Sequence, residues 1–133
     1  MAITKNKGRQ GVISAWVDIA FGDVPTTATA YTAVDLPVGA IVVGGDLVVD
    51  TAWDTGTTAT LSVGDASSAA RYLGATSVKS TGRTALVPTG FVTTATQPAI
   101  SVTTVISGTA TTVGAARLRV DYIVRKRAAF SQG

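Results

Sequence analysis

The stretch from Leu36 to Asp65, LPVGAIVVGGDLVVDTAWDTGTTATLSVGD, is the longest uninterrupted apolar and β-branched pattern in the chain, and it restricts the possible folds more than any other segment. Successive side chains of a strand point to opposite faces, so Ile41, Val43, Leu47, Val49 and Trp53 are expected to face a core while Asp46 and Asp50 face water. Such a segment belongs to a sheet with one dry and one wet face. Asp54-Thr55-Gly56 supplies turn chemistry, because Asp hydrogen-bonds to its own backbone and Gly tolerates positive φ. Leu61 and Val63 then resume the inward period in a return strand. Gly44-Gly45 interrupts the first strand. Paired glycines there predict a bulge, or a bend where one strand crosses between the sheets of a sandwich.

The flanking segments supply partners. From Val12 to Phe21, Ile13, Ala15, Val17, Ile19 and Phe21 fall on one face and Ser14, Trp16 and Asp18 on the other. A second strand is expected over Ala30 to Leu36, ended by Pro37 and Gly39. After Gly64 the period changes: Asp65 suits an N-cap, and Ala69, Ala70 and Leu73 suit a helix of about two turns closed by Gly74. Short strands are expected around Thr76 to Lys79, Thr84 to Val87 and Phe91 to Thr94, then one carrying Ile100, Val102 and Ile106. In the last strand Ala116, Leu118, Val120, Tyr122 and Val124 oppose Arg117, Arg119 and Asp121. Seven or eight strands with close turn signals predict an all-β fold, an antiparallel β-sandwich of jelly-roll type with at most one short helix. At 133 residues the expected organisation is a basic N-terminal arm over residues 1–10, one sandwich domain over 11–125 and a tail over 126–133. The arm, MAITKNKGRQ, is expected to order only against a partner.

Composition narrows the chemistry. The chain has no His and no Cys, and every acid is Asp. The usual general base, the Ser-His-Asp triad, thiolate catalysis and the commonest metal ligands are thereby removed, so no catalytic residue, cofactor or metal is expected. Asp46, Asp50 and Asp54 share a predicted strand face, but four strand residues span about 13 Å, too far for one ion or for a glycosidase pair. They suit a solvated face that also protects an edge. Ser77, Lys79 and Ser80 offer a Ser-Lys pair on spacing alone, and Gly64-Asp65 lacks the spacing and the Lys of a phosphate loop. There is no signal-peptide core and no run of about 18 apolar residues, so neither export by that route nor a membrane span is expected.

Charged residues are only 14% of the chain, against about 25% in ordinary soluble domains, so part of the surface is expected to be covered by a partner. The +3 net charge comes from the ends: Lys5, Lys7 and Arg9, then Arg125, Lys126 and Arg127. Trp16, Trp53 and Tyr31 are candidates for base stacking. A single-strand binder, however, interleaves cations with aromatics along one groove, and aromatics are only 6% here, which argues against nucleic acid. A sugar-binding or adhesin module remains an alternative, although no Trp or Tyr residues form an obvious pair.

The segments LPVGAIVVGGDLVV, GTTATLSVGD, ARYLGA and ARLRVDYIVRKR, within Leu36 to Arg127, resemble those of small capsid-associated proteins of tailed bacteriophages, the cement or decoration proteins. The resemblance implies a β-rich, non-enzymatic virion protein, made in the host cytoplasm and assembled as a dimer or trimer on the outer capsid surface. It implies the major capsid protein as partner, reached through the terminal arms, with the six basic residues named above as contacts. Head-completion and tail-associated phage proteins share the same pattern and stand as the nearest alternative.

Overall fold

The computed structural model describes residues 11–23 and 28–125. Eight strands run through them: β1 (Ile13–Ala20), β2 (Ala30–Asp35), β3 (Ala40–Thr51), β4 (Thr58–Gly64), β5 (Leu73–Ser77), β6 (Gly82–Ala85), β7 (Ala99–Ser107) and β8 (Ala115–Val124). They form two antiparallel four-stranded sheets, in the orders β1-β8-β3-β6 and β2-β7-β4-β5. Those interleaved orders are the topology of an eight-stranded jelly roll. The inner faces meet in a core that includes Leu47, Leu61, Val63, Ile100, Val102, Leu118 and Val120, none more than 2% exposed.

The central strand keeps a simple alternation only in its second half. Val42 pairs with Tyr122 and Gly44 with Asp121, which leaves Val43 as an extra residue against β8. The bulge moves the inward phase by one position. Ala40 and Val42 are buried before it, Leu47 and Val49 after it, and Val43, expected inside, is 41% exposed. Ile41 likewise loses its expected core place and is only half-buried. The glycine pair marks this bulge and not a crossing between sheets, since β3 pairs with β8 on both sides of it.

The crossing comes later, at Trp53. Beyond Thr51 the chain leaves the first sheet, and β4 forms in the second, so the expected return strand is no hairpin partner of β3. Trp53, 1% exposed, closes that end of the sandwich: its backbone N–H donates to the Val78 carbonyl at 2.9 Å. A Cβ on Gly114 would lie 2.6 Å from the indole ring, so the segment entering β8 packs flat against it only as glycine.

The helix expected after Asp65 does not form. Asp65 behaves as a cap, its Oδ1 accepting the Ser67 and Ser68 amides at 3.0 and 2.9 Å, but the chain bends back at once into β5. Two contacts hold that bend: the Arg71 Nε donates to Asp65 Oδ2 at 2.5 Å, and the Tyr72 N–H donates to the Val63 carbonyl at 2.9 Å. Tyr72, 2% exposed, is drawn into the core, which a helix continuing from the cap would prevent. Among the described residues the only helical turn is a 3-10 turn at Phe21–Asp23.

The two bulge glycines differ in what they tolerate. Gly45 has φ of +133° and a Cβ there would sit 2.1 Å from the Arg119 carbonyl oxygen, whereas a Cβ on Gly44 meets only Asp121 Oδ2 at 3.7 Å. Gly45→Ala is therefore expected to lower unfolding stability by about 2–4 kcal/mol, through overpacking and backbone strain, while Gly44→Ala stays within about 1 kcal/mol of wild type. Chemical denaturation of the two variants checks the contrast.

Candidate functional site

The outward residues of the first sheet form rows set by the strand register. Trp16 on β1 lies opposite Arg119 on β8, and Asp18 opposite Arg117. On the other side of β8, Asp46 lies opposite Arg119 and Val48 opposite Arg117, and Val48 also faces Arg83 on β6. Asp46 accepts from Arg83 Nε at 2.7 Å and from Arg119 at 3.5 Å, and Arg117 approaches Asp50 at 3.9 Å. Arg119 also stands 3.7 Å from Asp121, which accepts the Ser14 hydroxyl at 2.5 Å. Asp18, Asp46, Asp50, Arg83, Arg117 and Arg119 border a groove of about 720 Å³. Trp16 stands in its wall, 68% exposed.

The outward face of the second sheet has the opposite character. Thr32 on β2, Ser101, Thr103, Val105 and Ser107 on β7, and Thr58, Thr60 and Ser62 on β4 alternate with the inward core residues. Several of the hydroxyls are engaged locally: Thr58 and Ser107 share a hydrogen bond of 2.5 Å, and Ser62 donates to the Thr103 carbonyl at 3.4 Å. None of these eight residues bears a charge, and Asp35, exposed at the end of edge strand β2 opposite Ala99, is the one charged residue in the four strands.

The other residues singled out from the sequence separate. Asp46 and Asp50 do share a face, but Asp54 lies beyond the strand, because Trp53 turns the chain inward before it. Asp54 clasps the loop before β8: its carboxylate accepts the Thr112 amide at 2.6 Å, the Val113 amide at 3.1 Å and the Thr112 hydroxyl. Among the described residues no three metal-ligating side chains converge. Lys79 Nζ donates to the Thr57 carbonyl at 3.0 Å, and the Ser77 hydroxyl accepts the Lys79 amide at 3.3 Å, so each is tied to backbone and the pair is not a nucleophile and its base. Trp53 fills the core and Tyr31 is half-buried, leaving Trp16 as the exposed ring of the three. Arg125 presents an exposed side chain while its N–H donates to the Gly39 carbonyl at 2.8 Å. Lys5, Lys7, Arg9, Lys126 and Arg127, with the expected arm and tail, lie outside the described residues.

Asp65 and Arg71 form the most enclosed ion pair, their side chains 2% and 21% exposed, and the Arg71 guanidinium lies 3.7 Å over the Phe91 ring. Burial pushes the Asp65 carboxyl up, but Arg71 and the Ser67 and Ser68 donors outweigh it and hold the group below its ordinary value. Burial, then the Asp65 charge, pushes the Tyr72 hydroxyl up. The Asp65 carboxylate is filled by Arg71, Ser67 and Ser68, and the Arg71–Phe91 contact joins the β4–β5 bend to the segment after β6.

A chain of the cyanophage Pam1 capsid asymmetric unit superposes on this fold with a TM-score of 0.71, 33% identity, and coverage of 93% of this chain and 91% of that one. The protein belongs to that family of phage capsid proteins. A chain from the capsid of Ralstonia phage GP4 shares the fold, at TM-score 0.64 and 20% identity over 93% of this chain and 90% of that one. No protein-family model and no curated protein matches the sequence. As a structural protein of the phage virion, this capsid protein has its functional parts in its surfaces, and the two outward sheet faces are what the fold displays most broadly.

The Asp54 clasp gives this capsid protein a pH signature. Hydrogen bonds from the Thr112 hydroxyl, then from the Thr112 and Val113 amides, lower its carboxyl from 3.8 to about 2. A folded-state value below the unfolded one contributes stability that is fully present above the unfolded value and lost as pH falls through the folded one. In Asp54→Asn the thermal midpoint is expected to fall less than in wild type between about pH 4.5 and pH 2, as followed by circular dichroism.

Proposed function

We propose that this protein is a capsid cement or decoration protein, bound to the outer surface of a phage head and stabilising the lattice by bridging capsomers. The observation that carries this reading is the 33% identity to a capsid chain over 93% of the sequence. Two features of the chain support the finer role. Residues 11–124 hold five Lys or Arg against eight Asp, a net charge of −3, while the six basic residues Lys5, Lys7, Arg9, Arg125, Lys126 and Arg127 stand outside that body. Charges so segregated are not needed for the core, and they suit contact with an acidic partner such as the major capsid protein. The second feature is the charge-poor face of the second sheet, whose strands carry Asp35 at the end of edge strand β2 as their one charged residue. Docking it takes few ions from water, whereas covering the charged face of the first sheet would strip several.

In this reading each copy adds an interface, and lattice symmetry multiplies its effect. The same charge-poor face, with the strand edges of β2 and β5 beside it, also suits association of copies into a dimer or trimer.

The reading predicts hundreds of copies in purified particles. A dozen or fewer would assign a connector or tail role, and absence would remove the virion role altogether. On emptied capsids, removing residues 1–10 or replacing Arg125, Lys126 and Arg127 by Ala should weaken attachment in a salt-dependent way, with the thermal midpoint almost unchanged. Val105→Lys, which sets a charge on the exposed face of β7, should abolish attachment while the fold persists. Attachment of all three variants as tight as wild type would leave both contact surfaces wrong.

A further inference from the structure

We infer that the groove on the outward face of the first sheet is a binding site for a neutral oligosaccharide. Its volume of about 720 Å³ lies in the range of small-ligand sites, roughly 300–1,000 Å³. Its charges balance: Asp18, Asp46 and Asp50 face Arg83, Arg117 and Arg119. A phosphate or a nucleic-acid strand would meet three carboxylates, and a cationic ligand three guanidinium groups. A polyhydroxylated neutral ligand meets no such conflict, since each hydroxyl can donate to a carboxylate and accept from a guanidinium N–H.

Trp16 supplies the second element of recognition. A large ring that is 68% exposed on a sheet face contributes little to folding, and its negative π face suits the C–H-bearing face of a pyranose. Val48 lies between the Arg117 and Arg83 positions and gives the floor an apolar strip. The polar groups are also arrayed before any ligand arrives. Asp46 is held from both sides by Arg83 and Arg119, so binding orders few additional side chains. Exposed ion pairs of this kind add at most about 1 kcal/mol each to stability, so the array is not accounted for by the needs of the fold.

A protein partner is the competing occupant, because Trp and Arg dominate interface hot spots. It fits less well, for interface centres are depleted in charged residues, and this groove is ringed by six of them while the second sheet offers a face poor in charge. The glycan reading does not depend on the cement role.

The test uses the full-length protein on a printed panel of neutral glucose, galactose, mannose and N-acetylglucosamine oligomers, with heparin and polysialic acid as anionic controls. The strongest neutral binder is then titrated by tryptophan fluorescence. Binding of one or more neutral oligomers is expected, with the signal arising from Trp16, since Trp53 is buried. Trp16→Ala and Asp50→Asn are each expected to weaken binding at least tenfold at an unchanged thermal midpoint, and Trp16→Phe to retain part of the affinity. The inference is overturned if no neutral oligomer binds, if only the anionic glycans bind, or if Trp16→Ala binds as wild type. It is also overturned if both variants keep glycan binding and lose attachment to emptied capsids, which would make the groove a protein-docking site. Low copy number in particles with glycan binding intact would remove the cement role and leave the groove's assignment standing.

Discussion

The bulge of β3 at Gly44-Gly45 is the constraint on which the arrangement of this capsid protein depends. A strand of twelve residues without it would present one unbroken alternation. Either Val42 or the pair Leu47 and Val49 would then face water. One extra residue, allowed by Gly45 against the Arg119 carbonyl, lets both halves bury their aliphatic side chains. The same shift puts Asp46 outward beside Arg119, so core packing and the charged outer face are set by one backbone irregularity.

Much of the fold was legible because sheet alternation is written locally. The inward sets of β4 and β8, and of β1 apart from Phe21, which lies past the strand's end and is exposed, follow from their own residues, and seven or eight strands with few helical signals leave little besides a sandwich. What the sequence conceals is which strands meet. Asp54-Thr55-Gly56 carries the chemistry of a tight hairpin, yet Trp53 is buried across the end of the sandwich, its N–H donating to the Val78 carbonyl just past β5 of the other sheet, a contact between residues 25 positions apart. The segment after Asp65 carries helix signals, and the cap is real, but burial of Tyr72 outweighs what two alanines, good helix formers though they are, contribute to a helix. Val43 misled for a similar reason: glycine pairs announce a bulge without saying which side of it gains the residue.

The surface was legible only in part. Trp16, Arg117 and Arg119 can each be placed outward from alternation alone. Their union needs β1 to lie beside β8, a pairing of segments about a hundred residues apart that no local pattern announces. The aromatics therefore look separate from the cations in the sequence, and in the fold Trp16 stands opposite Arg119. The charge-poor face of the second sheet was foreshadowed by the low charged fraction, but composition cannot say on which surface the charges are sparse.

The position of β8 has a consequence for how the protein is made. It lies between β1 and β3, so the first sheet has no continuous ladder until Ala115–Val124 is present. Among the eight strands, β4 and β5 are the only sequence neighbours that pair with each other. A nascent chain lacking β8 has every strand of the second sheet and the β3–β6 pair, but cannot join β1 to β3. The outer face of the first sheet thus comes into being last, when β8 inserts, and a partly synthesised copy lacks the rows that Arg117 and Arg119 complete.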